Sequence, residues 1–256
     1  MSAAEDRRRT LLAMVVEQGY CTTTELARVL AVSEMTVRRD VARLEAGGRL
    51  RSVHGGVTLS GSADLTGTRF DERAVSHAEH KRAIARAALR FLPSSGIIAI
   101  DAGTTTAELC PLLPTDRPLT VATYSLPVLT ATARMTNIEQ VSLGGVLHRD
   151  SLSYAGPMTA HAIENLSIGT LFLGASSIGA RGLFCANDFD ALTKRALIDV
   201  SDTVVLLADS SKLGRGSFAR ICGFDKLHHV ITDTDIETAG ADLLQSGGAE
   251  LIIAPS

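Results

Sequence analysis

Residues 77–254 alternate between short, continuously apolar segments and segments with the spacing of amphipathic helices. The clearest apolar segment, Ile97–Ile100, follows a helix predicted over 77–92 and ends at Asp101. Strands that are apolar on both faces are typical of parallel sheets covered by helices on each side. We therefore predict a Rossmann-like parallel α/β domain with its binding site beyond the carboxyl ends of the strands. The other strands are predicted at 119–123, 140–143, 170–174, 203–208, 229–232 and 250–254, and the other helices at 106–112, 127–135, 159–166, 190–200 and 239–245.

The first 59 residues have a different pattern, that of three short helices and a hairpin. The second helix opens with a capping box, Thr22–Glu25, and Ala31-Val32 form a tight turn before the third helix. Two helices joined by a tight turn predict a helix-turn-helix, and the hairpin would be its wing. The predicted elements are helices over 6–18, from Thr22 and after the N-cap Ser33, and strands at 49–53 and 57–59.

The third helix of this segment carries most of the residues predicted to read DNA. Val37, Val41 and Leu44 would face inward, which leaves the opposite side exposed. The first residues of such a helix contact base edges in the major groove, and basic residues on the wing contact phosphates. A helical bundle with a solvated charged face is the alternative at this stage. The predicted DNA-contacting residues are Thr23, Thr24, Ser33, Glu34, Met35, Thr36, Arg38, Arg39, Arg43, Arg51 and His54, with Arg49 also on the wing.

The net charge also differs between the first 58 residues and the rest of the chain. The net charge of the 256 residues is −3, which by itself gives no indication of nucleic-acid binding. Residues 1–58 carry nine arginines and seven acidic residues, a net of +2, whereas residues 59–256 carry a net of −5. A charge of +2 is modest, so DNA affinity should depend on oligomerisation and on where the arginines lie. The predicted organisation is a DNA-binding domain at 1–59, a linker at 60–72 and a ligand-sensing domain at 73–256.

Motifs along most of the chain resemble those of the DeoR family of transcriptional regulators. In the first part these are Val37-Arg38-Arg39-Asp40, Gly48-Arg49-Leu50 and His54-Gly55-Gly56. In the second part they are Asp101-x-Gly103-Thr104-Thr105, Leu143-Gly144-Gly145, Thr193-Lys194-Arg195 and Asp209-Ser210-Ser211-Lys212. The resemblance implies a winged helix-turn-helix followed by a sugar-phosphate sensor domain whose fold is related to phosphosugar isomerases such as ribose-5-phosphate isomerase.

The motifs of the second part predict an effector site at the strand ends. Gly103 allows close backbone approach, and Thr104 and Thr105 offer hydroxyls and N–H groups at a helix start, which suits a phosphate. A plain turn with an N-cap is the alternative for this loop. Charged residues at strand ends would pair with phosphate or bind sugar hydroxyls. The predicted effector-binding residues are Asp101, Gly103, Thr104, Thr105, Thr123, Ser125, Lys194, Asp209 and Lys212.

Two positions depart from the family pattern. The family often has Thr-Asn-Ser where this chain has Thr123-Tyr124-Ser125, so a bulkier side chain stands in the middle. It also often has a Glu near the helix that carries Lys194, where this chain has Asp190, a carboxylate of shorter reach. Both departures bear on the size of the pocket and the identity of the ligand.

The resemblance implies a repressor of sugar or polyol catabolism genes that binds operator DNA, with a phosphorylated sugar as effector. We expect a homodimer or homotetramer, because one helix-turn-helix makes too few contacts with DNA. One alternative is a phosphosugar isomerase with an accessory DNA-binding domain, for which Asp101, Asp188 or Asp190 would be the base. Another is a DNA-binding protein whose pocket is vestigial and whose C-terminal domain only oligomerises.

The composition of the chain excludes several other classes of protein and of site. No apolar run approaches the roughly 20 residues of a membrane helix, and the N-terminus lacks the apolar region of a signal peptide, so we expect a cytoplasmic protein. Aromatic residues make up 4% and Trp is absent, which argues against base stacking. The four cysteines are scattered and read as free thiols. His228 and His229 would point to opposite faces of a strand, so we predict no metal site there. We also predict no cofactor and no catalytic residue.

Overall fold

The computed structural model describes residues 3–18, 20–46, 50–53, 56–59, 70–214 and 216–255. Its first part contains three helices and a small antiparallel sheet in the order β1-β3-β2, which confirms the predicted helices and wing. Strand β1 was not predicted, because three residues between two helices carry no periodicity. The elements are α1 (Ala3–Gln18), β1 (Tyr20–Thr22), α2 (Thr23–Val29), α3 (Glu34–Ala46), β2 (Leu50–Val53) and β3 (Gly56–Leu59).

The turn between α2 and α3 forms as predicted. Thr22 and Glu25 make a reciprocal capping box: the Glu25 N–H donates to Thr22 Oγ1 at 3.1 Å, and the Thr22 N–H donates to Glu25 Oε2 at 3.0 Å. Ala31 adopts a left-handed conformation with φ +52°, which reverses the chain within the turn. The Thr36 N–H then donates to Ser33 Oγ at 3.2 Å and caps the start of α3. These local bonds orient α3 against α2.

The second part is built on a seven-stranded sheet whose neighbouring strands are all parallel. This confirms the predicted fold class. In spatial order its strands are β15 (Glu250–Ile253), β14 (His229–Thr232), β12 (Ser201–Leu207), β9 (Ile168–Leu173), β4 (Ile97–Ile100), β5 (Leu119–Thr123) and β6 (Ile138–Ser142). The helices are α4 (Phe70–Val75), α5 (Ala78–Ala88), α6 (Thr104–Ala107), α7 (Leu126–Thr132), α8 (Pro157–Glu164), α9 (Asp188–Asp199) and α10 (Thr238–Gln245).

Both faces of this sheet are buried. Along β9, Leu171 and Leu173 belong to one buried cluster, whereas Phe172 between them belongs to a second. Val204 and Val205 on β12 divide in the same way. Successive side chains of a strand point to opposite faces, so the two clusters lie on opposite sides of the sheet. This is the reason that the strands read as continuously apolar.

Short antiparallel strands flank the main sheet and were not predicted. They form a pair, β7 (Val146–His148) with β8 (Ser153–Ala155), and a three-stranded sheet of β10 (Ser177–Gly179), β11 (Gly182–Cys185) and β13 (Ala219–Cys222). Strands of three or four residues are too short for alternation to identify them. Before β7, Gly145 has φ +112°, and a Cβ there would lie 2.1 Å from Thr159 Oγ1, so only glycine fits.

Helix α4 overlaps the predicted linker. Residues 60–69 lie outside the described part of the chain, but residues 70–72 begin α4, and the Phe70 N–H donates to the Asp150 carbonyl at 2.8 Å. Lys81 is 1% exposed and its ammonium donates to the carbonyls of Arg73 and Ser76, which terminates α4 against α5. Among the described residues, no helix is long and apolar enough to cross a bilayer.

Candidate DNA-binding face and effector cavity

Helix α3 presents a polar, basic face opposite its buried side. Val37 and Val41 are buried and Leu44 packs against the same core, as predicted. Met35 is 74% exposed, and the side chain of Arg38 is 71% exposed. The other residues predicted on this face are also accessible: Ser33, Glu34, Arg39 and Arg43 are exposed, and Thr36 is partly exposed. The helix therefore brings these residues together on one surface.

Contacts within the domain already engage the predicted residues at the start of α2 and α3. Thr24 is exposed and its hydroxyl donates to Glu34 Oε1 at 2.8 Å, so it joins the two helices. Glu34 Oε2 lies 3.9 Å from Arg38 Nη2. Thr23 is partly buried at the first position of α2. Arg49 and His54 lie outside the described residues, as does the side chain of Arg51, so their roles stay predictions.

Two residues that were not predicted hold α3 in place. Asp40 is 2% exposed and accepts from Arg7 Nε of α1 at 2.6 Å. Glu45 accepts from the Ser52 N–H at 3.0 Å and from its hydroxyl at 2.8 Å, which fixes the wing to the end of α3. Asp40 belongs to the Arg-Arg-Asp motif, so the motif combines exposed arginines with one buried carboxylate. An acidic residue within a basic helix was the available signal for this role.

A cavity of about 190 Å³ opens at the carboxyl ends of β4, β9 and β12. It is enclosed by the start of α9, by α4 and by the turn between β7 and β8. Five of the nine predicted effector residues line it: Gly103, Thr104, Thr105, Lys194 and Lys212. Residues that were not predicted to bind also line it, among them Arg73, His148, Arg149, Asp150, Ser151, Asn187 and Phe189.

A buried ion pair forms the floor of the cavity. Asp101 is 0% exposed; its Oδ2 accepts from the Gly174 N–H at 2.8 Å and from the ammonium of Lys194, and its Oδ1 accepts from the hydroxyl of Tyr124. A Cβ on Gly174 would lie 3.1 Å from Asp101 Oδ2, so glycine permits this approach. Burial lowers the pKa of Lys194, but the adjacent Asp101 and Asp190 carboxylates raise it more, so the net pKa is raised.

Tyr124 and Asp190, the two departures from the family pattern, meet in this floor. Tyr124 is 0% exposed, and its hydroxyl oxygen lies 3.0 Å from Asp190 Oδ1 as well as within hydrogen-bonding distance of Asp101. Burial, together with the charges of Asp101 and Asp190, raises the pKa of Tyr124 well above 10, so it is a neutral phenol. Asp190 also lies 3.8 Å from Lys194 Nζ. The network therefore joins β4, β5 and α9.

Four predicted effector residues lie behind the cavity wall. Asp101 does not line the cavity itself, but Gly174 and Lys194, which donate to its carboxylate, do. Thr123 is 0% exposed and donates to the Ile100 carbonyl at 2.6 Å, and Ser125 is 0% exposed and caps α7. Asp209 is 1% exposed, accepts from the Ser211 hydroxyl and lies 3.9 Å from Lys212 Nζ. Their buried positions do not favour direct contact with a ligand. Their roles in effector binding remain predictions.

His148 and Phe189 form an aromatic wall of the cavity. The rings of His148 and Phe189 stack with centroids 3.7 Å apart and planes 15° apart. His148 ends β7 and Phe189 is in the first turn of α9, so the stack joins two separate elements in the cavity wall. Neither residue follows a predicted strand, so the sequence offered no signal for this wall.

Three histidines outside the cavity, His80, His228 and His229, lie next to a backbone N–H or to carboxylates. His228 Nδ1 accepts from the Val204 N–H at 3.0 Å, whereas His229 lies 2.8 Å from Glu250 Oε2. His80 Nδ1 lies 3.7 Å from Asp233 and its Nε2 lies 3.6 Å from Asp235. In this last cluster one nitrogen of His80 and one carboxylate oxygen of each aspartate lie within 4.8 Å of one another.

Comparisons with known proteins agree with this division into a DNA-binding and a sensor part. A family model described as the DeoR-like helix-turn-helix domain matches residues 7–63, and one described as the DeoR C-terminal sensor domain matches residues 76–234. Among solved structures, ribose 5-phosphate isomerase A of Neisseria gonorrhoeae is 20% identical over 53% of each chain, with a TM-score of 0.39. That likeness is too weak to bear on the activity of this chain.

Relatives of nearly the same length are transcriptional regulators by name. The HTH-type transcriptional regulator YulB of Bacillus subtilis is 31% identical over 98% of this chain and 96% of its own. A putative aga operon transcriptional repressor of Escherichia coli O157:H7 is 26% identical over 99% and 95%. The L-fucose operon activator of Haemophilus influenzae is 30% identical over 90% and 92%. With both domain models matched in order, this chain belongs to the DeoR family of helix-turn-helix transcriptional regulators.

Proposed function

We propose that this protein is a repressor of sugar or polyol catabolism genes whose operator binding is controlled by a phosphorylated sugar in the cavity. The observation that carries the proposal is the composition of the cavity wall. Four cationic side chains, those of Arg73, Arg149, Lys194 and Lys212, line a space of about 190 Å³ together with the threonines of the Asp101–Thr105 loop. Clustered cations and hydroxyls suit a phosphate group on a small polar body.

The phosphate is expected at the side of the cavity formed by Thr104, Thr105 and Lys212. The two threonines are 8% and 6% exposed, and Lys212 is 9% exposed, so a bound anion there would be well shielded from water. Shielding strengthens charge-assisted hydrogen bonds. The sugar would then extend toward Asn187, Asp190 and the aromatic wall.

Helix α4 connects the cavity with the DNA-binding part of the chain. It is the first described element after residues 60–69, and its Arg73 lines the cavity. A ligand that pairs with Arg73 would favour one position of α4 and so one arrangement of the segment that leads to the DNA-binding domain. A ligand with unequal affinity for the two arrangements shifts operator occupancy by linkage.

Two further observations support the proposal. The aga operon and L-fucose operon regulators are named for sugar operons, one as a repressor and one as an activator. Two of the three bases considered for the isomerase alternative are poorly placed: Asp101 is engaged by three donors, and Asp188 is exposed and does not line the cavity. Asp190 is left as the candidate, and it is hydrogen-bonded to Tyr124.

The proposal is tested by fluorescence anisotropy with labelled duplexes from the DNA flanking the gene, with and without a panel of phosphosugars. We expect salt-dependent DNA binding and its release by one class of phosphosugar. Lys212→Ala should abolish the response and retain DNA binding, whereas Lys226→Ala, an exposed lysine outside the cavity, should change neither.

Calorimetry with the same panel, followed by a turnover assay, separates the alternatives. Binding without turnover supports a sensor. Isomerisation of a bound phosphosugar would contradict it, and the absence of binding by every phosphosugar would favour the domain that only oligomerises.

A further inference from the structure

The hydroxyl of Tyr124 lies between two carboxyl groups. Its oxygen is within hydrogen-bonding distance of Asp101 Oδ1 and 3.0 Å from Asp190 Oδ1. Neutral tyrosine has one hydroxyl proton, so it donates to only one of these oxygens. The other contact is repulsive between two oxygens unless a second proton lies between them. With both acids ionised, the cluster would therefore contain one unfavourable oxygen–oxygen contact in a buried site.

Asp101 is the carboxylate of the pair whose negative charge is better compensated. It accepts from the Gly174 N–H and the Lys194 ammonium in addition to Tyr124, and all three donors stabilise the carboxylate. Asp190 has weaker compensation, since its oxygens lie 3.0 Å from the Tyr124 hydroxyl and 3.8 Å from Lys194 Nζ. The second proton therefore belongs on Asp190, which then donates to Tyr124 while Tyr124 donates to Asp101.

The charges around Asp190 support this assignment. The groups that face it are Lys194 on its own helix, Asp101 and Tyr124 at the ends of β4 and β5, Cys185 at the end of β11 and Arg73 on α4. Burial raises the pKa of Asp190 and the charge of Asp101 adds to this, whereas Lys194, a hydrogen bond with Tyr124 and the charge of Arg73 lower it; the net pKa is raised.

The proton on Asp190 changes the charge of the cavity. Four cationic side chains line the cavity. Four carboxylates oppose their charge: those of Asp150 and Asp190 in the lining, and those of Asp101 and Asp209, which pair with the two lysines. With Asp190 ionised the four positive and four negative charges cancel. With Asp190 neutral the site has a net positive charge, which favours an anion.

We propose that Tyr124 holds Asp190 as a neutral carboxylic acid and that this stored proton makes the cavity selective for an anionic ligand. The first half stands on the geometry of the cluster alone. The second half, the selectivity for an anion, rests on the proposed function. It adds a pH dependence to that function, because the affinity for an anion falls as Asp190 loses its proton. Tyr124 is thus a specificity-determining residue, and its presence in place of the family's usual Asn has a chemical consequence.

The proton is detected directly by infrared spectroscopy of the full-length protein during a pH titration. We expect the C=O stretch of a protonated carboxylic acid at pH 7, its loss in Asp190→Asn and its retention in Asp188→Asn, the matched change at an exposed residue of the same helix. In Tyr124→Phe the band should disappear at lower pH than in the wild type. A wild-type protein without this band at pH 7, or a band that survives in Asp190→Asn, overturns the assignment.

The consequence for binding is measured by calorimetry with inorganic sulfate, whose charge is constant across the titration. Above the pH at which the acid band is lost, wild-type affinity should fall about tenfold per pH unit, because binding then requires one proton. Affinity in Asp190→Asn should be independent of pH. A flat wild-type profile beside a normal infrared titration contradicts the selectivity but leaves the proton in place. Failure of sulfate and phosphosugars to bind at any pH contradicts the selectivity and the proposed function together.

Discussion

Replacement of Lys194 by methionine tests whether the floor of the cavity is held by a buried ion pair. The ammonium lies against Asp101, which is 0% exposed, and the lysine side chain is 5% exposed. Methionine keeps most of the apolar stem and removes the charge. Asp101 would then retain the Gly174 N–H at 2.8 Å and the Tyr124 hydroxyl as donors, but its negative charge would have no opposite charge in contact.

The magnitude follows from the loss of one partner of a buried pair. Removing one member destabilises a protein by about 3–5 kcal/mol, because the remaining charge stays desolvated. The two neutral donors that Asp101 keeps place the expected loss near the lower end, about 3 kcal/mol. For a domain of this size, that corresponds to a decrease of about 6–12 °C in Tm.

The measurement is urea unfolding at pH 7, followed by far-UV circular dichroism because the chain has no Trp. Lys226→Met, at an exposed lysine, should change the free energy of unfolding by less than about 0.5 kcal/mol. The double variant Asp101→Asn with Lys194→Met removes both charges and should recover most of the loss. A loss below about 1 kcal/mol in Lys194→Met, or a double variant as unstable as the single one, would refute the ion pair as the cause.

Three other perturbations address the remaining parts of the molecule. Arg39→Ala, on the exposed face of α3, should weaken DNA binding and reduce the slope of log affinity against log salt concentration by about 1 in anisotropy titrations. Arg134→Ala, at an exposed residue of the other domain, is the control and should change neither. Equal effects of the two changes would mean that α3 does not contact DNA. Ala31→Gly should raise the free energy of unfolding by about 0.5–1 kcal/mol in urea, since Ala31 has φ +52°, and a loss would contradict the left-handed turn. All four cysteines are buried, and burial raises the pKa of Cys110 to about 12, so the folded protein should react slowly with a thiol reagent that titrates four thiols after unfolding.

The local chemistry of the DNA-binding part could be read from the sequence because its signals are short in range. The capping box of Thr22 and Glu25, the cap at Ser33 and the inward spacing of Val37 and Val41 depend on residues three or four positions apart. The bond between Arg7 and Asp40 joins residues 33 positions apart, and no local pattern marks it. The same is true of Glu45 and Ser52, which join the wing to α3.

The sequence predicted the edge of the sheet at which the cavity lies, but it did not predict all the residues that line the cavity. Polar residues at the ends of apolar strands had to meet at one edge of a parallel sheet, so Gly103, Thr104, Thr105, Lys194 and Lys212 line the cavity. The other four predicted residues end strands or flank their ends at the same edge, but their side chains are turned into the protein. Whether a residue at a strand end faces the ligand or the interior depends on its neighbours in space.

The sequence by itself determined the helix-turn-helix, the parallel sheet and the edge of the sheet at which the cavity lies, because hydrophobic periodicity and capping are local properties. Tertiary structure decided which groups share the cavity. It brought Arg73 and the His148–Phe189 wall to the site from segments with no local signal. It also placed Tyr124 between two acids that lie 23 and 66 residues away, and the proton balance of such a cluster depends on distances that only the folded chain creates.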